Sequence, residues 1–325
     1  MTLTVIDLDT TGWLVEETPT GSRPVPAHRL TTHFAERLSP PAWATDLLVY
    51  VHGWQTSPDS AHATTRRLLD LTTAQHERRP ALYPGLRPWR PWTVLIRWPS
   101  RSLPSLGGYR RIRDRAHAMS TQGHAARVIG SLLGYLDSRR PDPAAPPVLA
   151  NREGQYLHLI GHSFGCRLLC EAVQWAAGDE PATLGWSTPK PHGRPFTVDS
   201  MLLLQMAAPR DAFATSFTTL AEAPLRGPVV ATYSQHDRAT GFWHLRAERR
   251  AGIGYAGIGT APEPVSSIRM LPPDERYPLR GLDHQFVSVD AGEVFVRGSG
   301  PAGAHSDHLR PESAHLLLSL ADHSR

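Results

Sequence analysis

Short apolar runs alternate along the chain with segments whose apolar residues recur at helical spacing. The runs cover residues 46–51, 93–98, 156–160, 200–208 and 228–233, and helical spacing follows over about 57–78 and 120–138. Apolar runs of this length are typical of strands that are buried on both faces of a sheet. The alternation predicts an α/β fold with a mostly parallel central sheet and helices on both faces.

The remaining segments complete one predicted domain, 1–325, in which 46–325 form the core and 1–45 form an N-terminal extension or an antiparallel edge. We expect a polar loop over 101–116, a proline-rich link over 141–147, and a surface loop or short cap over 177–195, so that the fold has little or no cap. Two late strands are predicted at 285–289 and 293–297, and a final helix at 312–321.

Composition narrows the class of protein. Lys and Arg number 34 against 30 Asp and Glu, and the arginines are spread along the chain, which argues against nucleic-acid binding. The N-terminus lacks a signal-peptide pattern, and no apolar stretch is long enough to cross a bilayer, so we expect a cytoplasmic protein without a membrane span. Cys166 and Cys170 lie four residues apart on one predicted helix, where core packing explains them better than a disulfide or a metal site.

Residues 156–176 carry the strongest chemical signal. An apolar strand ends in Gly161-His162-Ser163-Phe164-Gly165, and helical spacing begins directly afterwards. Strand, G-x-S-x-G and helix together form the nucleophile elbow, in which a sharp turn exposes the serine hydroxyl. Both glycines are expected because a side chain at either position would strike the neighbouring strand or helix. The pattern predicts Ser163 as a nucleophile.

An acyl-transfer site also needs donors for the oxyanion. The N–H of Phe164, at the start of the helix, is one candidate. The second is expected after the strand at 46–51, where the chain reads His52-Gly53-Trp54-Gln55, and the N–H of Trp54 or of Gln55 is the predicted donor.

A serine nucleophile needs a histidine base and an acid that orients the imidazole. In this fold the chain order is serine, acid, histidine. Asp237 follows a late strand and is the predicted acid, with Asp211 as the alternative. The base is expected in a loop near the C-terminus, where His305 is the first candidate and His308 the second.

A G-x-G-x-x-G match at 252–257 does not indicate a dinucleotide site. That fingerprint requires a preceding strand, whereas residues 243–250 are charged and helical in character. We therefore expect neither a cofactor nor a metal ion.

Several motifs, taken in order, resemble the α/β-hydrolase superfamily from about residue 46 to the C-terminus. They are most similar to a bacterial branch of esterase- and lipase-like serine hydrolases. Arg210 stands where that branch carries an acid, and Ala304 where it carries a glycine. The motifs are V-H-G-W-Q-T-S at 51–57, W-P-S at 98–100, G-H-S-F-G at 161–165, A-A-P-R at 207–210, S-Q-H-D-R-A at 234–239 and A-H-S at 304–306.

The resemblance implies a triad of Ser163, Asp237 and His305 that acts on a carboxylic ester or a thioester through an acyl-enzyme. The alternative is a catalytically silent α/β-hydrolase scaffold that binds a ligand or a protein partner. The sequence sets neither the substrate nor the oligomeric state.

Overall fold

The structure is a computed structural model that describes residues 3–86, 88–140, 154–175, 198–223, 225–298 and 300–325. The segments predicted as a link at 141–147 and as a surface loop or short cap at 177–195 lie outside the described residues.

One mixed, mostly parallel sheet runs through the described part of the chain, with the order β3-β2-β1-β5-β4-β6-β7-β8-β10-β9. Only β1–β2 and β2–β3 pair antiparallel. The strands are β1 Leu3–Leu8, β2 Leu14–Thr18, β3 Gly21–Pro24, β4 Asp46–Val51, β5 Pro91–Arg97, β6 Tyr156–His162, β7 Ser200–Leu204, β8 Val229–Tyr233, β9 Val265–Arg269 and β10 Phe286–Asp290.

Helices lie in the connections between the central parallel strands: α2 between β4 and β5, α3 and α4 between β5 and β6, and α5 after β6. Within the described residues, no helix has the length and apolar character that crossing a bilayer would need. The helices are α1 Leu30–Arg37, α2 Pro58–Arg78, α3 Leu106–His117, α4 Ala125–Arg139, α5 Gly165–Trp175, α6 Ala212–Thr215, α7 His244–Glu248, α8 Ile253–Ala256, α9 Leu279–Leu282 and α10 Pro311–His323.

Strand β4 shows how the sheet separates two hydrophobic cores. All of its residues are buried; Leu47, Val49 and Val51 belong to one core, and Leu48 and Tyr50 to the other. The first core includes residues of α1, α3, α4 and α5, and the second includes residues of α2 and α10. Helices therefore cover both faces, and the fold is of the α/β class.

The helix predicted over about 57–78 is confirmed as α2. Ser57 caps it, since its hydroxyl accepts a hydrogen bond from the N–H of Ser60, and Pro58 occupies the first turn. The polar loop predicted for 101–116 is wrong, because α3 occupies most of it. The strand predicted for 293–297 is also wrong. That segment turns back on Ala291, whose carbonyl accepts from the N–H of Phe295 at 2.7 Å, and β10 pairs instead with β9.

Residues 1–45 contribute three strands to the sheet. Strand β1 pairs parallel to β5, and β2 and β3 extend that edge antiparallel. A bidentate ion pair between Arg97 and Asp7, with both distances 2.7 Å, joins the ends of β1 and β5.

A buried polar network lies at the amino ends of β4, β6 and β7. His158 Nε2 is 3.1 Å from Asp46 Oδ1, and His158 Nδ1 is 2.8 Å from Ser200 Oγ. The Asp46 carboxylate also accepts two hydrogen bonds of 2.9 Å from the Arg325 guanidinium. Arg325, which follows α10, is thereby anchored to the centre of the sheet.

Candidate active site

Strand β6 leads into α5 through a turn that places Ser163 in a strained conformation. Its φ is +55°, a region that side-chain-bearing residues rarely adopt. A Cβ at Gly161 would lie 2.8 Å from the Cα of Cys166, and one at Gly165 would lie 2.4 Å from the carbonyl oxygen of Val51. Both contacts are too short, so the sequence-based reason for these glycines is confirmed.

Hydrogen bonds from the neighbouring strand fix the backbone of this turn. The N–H of Ser163 donates to the carbonyl of Leu204 at 3.0 Å, and the carbonyl of Ser163 accepts from the N–H of Ala207 at 3.2 Å. The strained turn is thus determined by its surroundings on both sides.

Three of the predicted site residues form one hydrogen-bonded chain. The Ser163 hydroxyl is 2.8 Å from His305 Nε2, and His305 Nδ1 is 2.8 Å from Asp237 Oδ2. A carboxylate only accepts, so Nδ1 carries the proton and donates to Asp237, which leaves Nε2 to accept from the Ser163 hydroxyl. All three residues are buried, with exposures of 3% or less.

Further contacts hold the acid and the imidazole in place. Asp237 Oδ1 accepts from the N–H of Thr240 at 3.0 Å, and Oδ2 accepts from Gln205 Nε2 at 3.1 Å. The carbonyl of His305 accepts from His162 Nε2 at 2.9 Å. Burial lowers the pKa of His162 well below its usual value, and the charges that His308 and His305 carry when protonated lower it further; His162 therefore stays neutral.

The turn after β4 lies directly against the serine. A Cβ at Gly53 would lie 2.6 Å from the Cβ of Ser163, so only glycine permits this approach. Gln55 has a φ of +62°, and its N–H donates to the carbonyl of Ser100 at 3.1 Å. Of the two predicted donors in this turn, the Gln55 N–H is therefore already used. The N–H groups of Trp54 and Phe164 have no acceptor among the described residues.

The side chains of the two donor residues, Trp54 and Phe164, both pack against a third aromatic ring. Tyr109 of α3 lies 5.2 Å from the Trp54 ring and 5.1 Å from the Phe164 ring, measured between centroids. The Tyr109 hydroxyl is 3.0 Å from His244 Nδ1. Helix α3, which the sequence analysis took for a loop, thus packs beside the site.

A cavity of about 320 Å³ opens on the other side of the turn, at the carboxyl ends of β1 and β5. Its lining includes His52, Thr56, Trp98, Ser100 and the arginines 97, 101 and 115. The Trp98 ring stacks on His52 at 6.0 Å and donates its Nε1–H to the His52 carbonyl at 2.7 Å. Burial lowers the pKa of His52 to about 4, so this imidazole is neutral near pH 7.

The alternative residues lie elsewhere. The His308 ring packs 4.0 Å from the His162 ring, and no hydrogen bond within the described residues joins it to Ser163 or Asp237. Asp211 is one-third exposed and pairs with Arg250 at 2.5 Å. Cys166 and Cys170 are free and buried, and burial raises the pKa of both thiols well above the usual value.

Sequence reasoning missed Gln205 and His162 as partners of the site. Gln205 has one signal in the sequence: it is a polar residue within an apolar run, near the carboxyl end of the strand predicted there. His162 lies within the G-H-S-F-G motif, but that motif assigns no role to the residue before the serine. Helix α3 gave a weaker signal, because Ser105 is a helix cap and Tyr109, Ile112 and Ala116 recur at helical spacing behind it.

Comparison with known proteins adds little beyond these coordinates. No protein-family model matches the chain. No curated protein matches it either. Among solved structures, the chain is similar to TT1662 from Thermus thermophilus, with 14% identity over 88% of this chain and 91% of that one, and a TM-score of 0.39. The α/β class follows from the mostly parallel sheet with helices on both faces.

Proposed function

We propose that the chain is an α/β-hydrolase that cleaves carboxylic esters or thioesters with Ser163 as nucleophile. The observation that carries this proposal is the continuous chain of hydrogen bonds from Ser163 through His305 to Asp237, built on a strained turn between a strand and a helix. Hydrogen-bonded triads with these roles recur on unrelated folds and are recognised by geometry.

In the proposed reaction, the Ser163 oxygen attacks the carbonyl carbon while His305 Nε2 takes the hydroxyl proton. Asp237 keeps the imidazole in the tautomer with the proton on Nδ1 and stabilises the imidazolium that forms. The N–H groups of Phe164 and Trp54 stabilise the oxyanion. His305 then protonates the leaving alcohol or thiol, and water, activated by the same imidazole, releases the acid from the acyl-enzyme.

Ester and thioester substrates are favoured over amides because an alkoxide or thiolate leaves with less help from a general acid than an amine does. The aromatic side chains beside the donors favour an acyl group with apolar character. The positions of the alternatives support the same assignment: His308 packs against His162, and Asp211 is paired with Arg250.

The experiment that tests this proposal is hydrolysis of p-nitrophenyl esters from acetate to decanoate, with intact-mass detection of the acyl-enzyme. The wild type should hydrolyse at least one ester and should carry the acyl group on the peptide that contains Ser163. Ser163→Ala should do neither. A folded wild type that cleaves none of these esters and forms no adduct would favour the silent scaffold, whose ligand binding Ser163→Ala would leave intact.

A further inference from the structure

Gln205 lies directly after β7 in a conformation that needs an explanation. Its φ is +47°, its side chain is fully buried, and it is neither glycine nor asparagine. Residues held in this region cost free energy and persist where the surroundings impose them, often at functional sites. The surroundings here are specific. The N–H of Gln205 donates to Thr232 Oγ1 at 3.1 Å, and a Cβ at Gly254 would lie 2.6 Å from the Gln205 carbonyl carbon.

The strained backbone aims the amide at two acceptors. Gln205 Nε2 donates to Asp237 Oδ2 at 3.1 Å and to the carbonyl of Ala304 at 2.9 Å. Both partners can only accept, so the NH₂ group must face them and a flipped amide would set oxygen against oxygen. The two hydrogens of one amide therefore connect the loop of the acid with the residue that precedes His305.

This amide completes the set of donors around the carboxylate. Oδ1 accepts from Thr240, whereas Oδ2 accepts from both His305 and Gln205. A carboxylate with fixed donors on both oxygens cannot rotate away from the imidazole. Since Ala304 is held by the same amide, the separation of the acid and the base is fixed as well.

From this geometry we infer that Gln205 is a positioning residue that sets the orientation of Asp237 and His305, an inference that rests on the proposed function of Ser163. Within the described residues, no hydrogen bond joins Gln205 to Ser163 or to the N–H groups of Trp54 and Phe164. Its effect is expected on the rate of the reaction of Ser163 and on the Asp237–His305 hydrogen bond.

Gln155 provides a matched control. It is also buried, and its Nε2 donates to the carbonyls of Pro41 and Ala44 at 2.9 and 2.8 Å, just before β6 at the opposite edge of the sheet. Gln205→Leu and Gln155→Leu therefore each remove one buried amide with two hydrogen bonds, but only the first removes contacts to the proposed triad.

The test measures the rate of labelling by a fluorophosphonate probe and the downfield proton resonance of the imidazole N–H that is bound to a carboxylate. For Gln205→Leu we expect a rate about 10- to 100-fold below that of the wild type, the scale of a misplaced catalytic group, and a shifted or broadened resonance. Gln155→Leu should keep both. Equal rates and unchanged resonances in the two variants would overturn the inference.

Gln205→Glu covers the case in which Gln205→Leu does not fold, because it keeps the size of the side chain. A second carboxyl group next to Asp237 favours the imidazolium, so the acidic limb of the labelling rate should move to higher pH, whereas in Gln155→Glu it should not. A limb that stays in place would overturn the inference. A wild type that is not labelled but shows the resonance, which Gln205→Leu then loses, would reject the proposed function and keep the role of Gln205.

Discussion

A serine, a histidine and an aspartate are joined by hydrogen bonds at two places in the sheet: at the carboxyl ends of the parallel strands, here called the carboxyl edge, and at their amino ends, the amino edge. At the carboxyl edge they are Ser163, His305 and Asp237; at the amino edge they are Ser200, His158 and Asp46. The distances are similar, between 2.8 and 3.1 Å, and all of these side chains are buried. Residue types and distances alone therefore do not define a reactive site.

The differences lie in what surrounds each serine. Ser163 occupies a turn with positive φ, next to backbone N–H groups that have no acceptor among the described residues, and it contacts Nε2 of its histidine. Ser200 is the first residue of a central strand, β7, and contacts Nδ1. The Asp46 carboxylate is bound by Arg325, so its charge is already compensated, whereas the described partners of Asp237 include no arginine or lysine. We interpret the amino-edge network as an anchor for Arg325, just after α10.

Removal of the two serine hydroxyls gives the largest expected contrast. Ser163→Ala should lower the rate of ester hydrolysis by about 10⁶-fold, the scale on which a triad nucleophile acts. Ser200→Ala should leave that rate within about a factor of two, because its hydroxyl only fills a hydrogen bond to His158. Steady-state kinetics on both purified variants measures the contrast, and a similar loss in both would remove the distinction between the two edges.

Neutralising the two aspartates should separate activity from stability. Asp237→Asn should lower the hydrolysis rate by about 10⁴-fold, because an amide no longer fixes the tautomer of His305. Asp46→Asn should leave the rate intact but reduce the free energy of unfolding by about 3 kcal/mol, the lower end of the range for a fully buried pair, because the part-buried Arg325 loses its carboxylate partner.

Steady-state kinetics and urea denaturation of both variants test whether Asp237→Asn lowers the rate and Asp46→Asn lowers the free energy of unfolding. Burial alone would raise the pKa of Asp46, but His158 and Arg325 outweigh it and lower that pKa. The stabilisation from Asp46 should therefore be complete above its unfolded pKa and disappear as the pH falls through the lowered folded pKa. Loss of activity without loss of stability in Asp46→Asn would contradict the assigned roles.

The smallest expected effect is on the free energy of unfolding in mild acid, where the carboxyl edge should be destabilised at a higher pH than the amino edge. Burial lowers the pKa of His308 to about 3, against about 6.5 in an unfolded chain. Between these values the unfolded chain binds the additional proton, so the free energy of unfolding should decrease as the pH falls, by up to about 1.4 kcal/mol per pH unit. His308→Phe should reduce that slope between pH 6 and 4, and the exposed His28→Gln should not. Equal slopes in urea titrations would contradict the neutral state of His308.

The elements that sequence alone predicted are those with a strong local signal. The buried runs of β4 to β8 and the helix α2 could be predicted without tertiary information. The elbow at Ser163 could be recognised because the turn itself requires the spacing of its two glycines. Asp237 and His305 were predicted from the order serine, acid, histidine along the chain. In the structure His305 is hydrogen-bonded to both Ser163 and Asp237.

The failures have physical causes. Gly107 and Gly108 at the start of α3 lower its intrinsic helix propensity, and its arginines make the segment polar. The helix forms because Tyr109 and Ile112 are buried against the core. Strand β9 is half exposed and has no apolar run. Residues 293–297 contain three consecutive apolar residues, as a short strand would, but turn back on Ala291. Gln205 was missed because its role depends on contacts with residues 32 and 99 positions away.

The most direct measurement is labelling of the wild type with a fluorophosphonate probe, followed by mass mapping of the modified peptide. We predict that the probe reacts with Ser163 and leaves Ser200 unmodified, because only the carboxyl edge combines an activated hydroxyl with donors for the oxyanion. A folded protein that is not labelled, or that is labelled at a serine other than Ser163, would contradict the account.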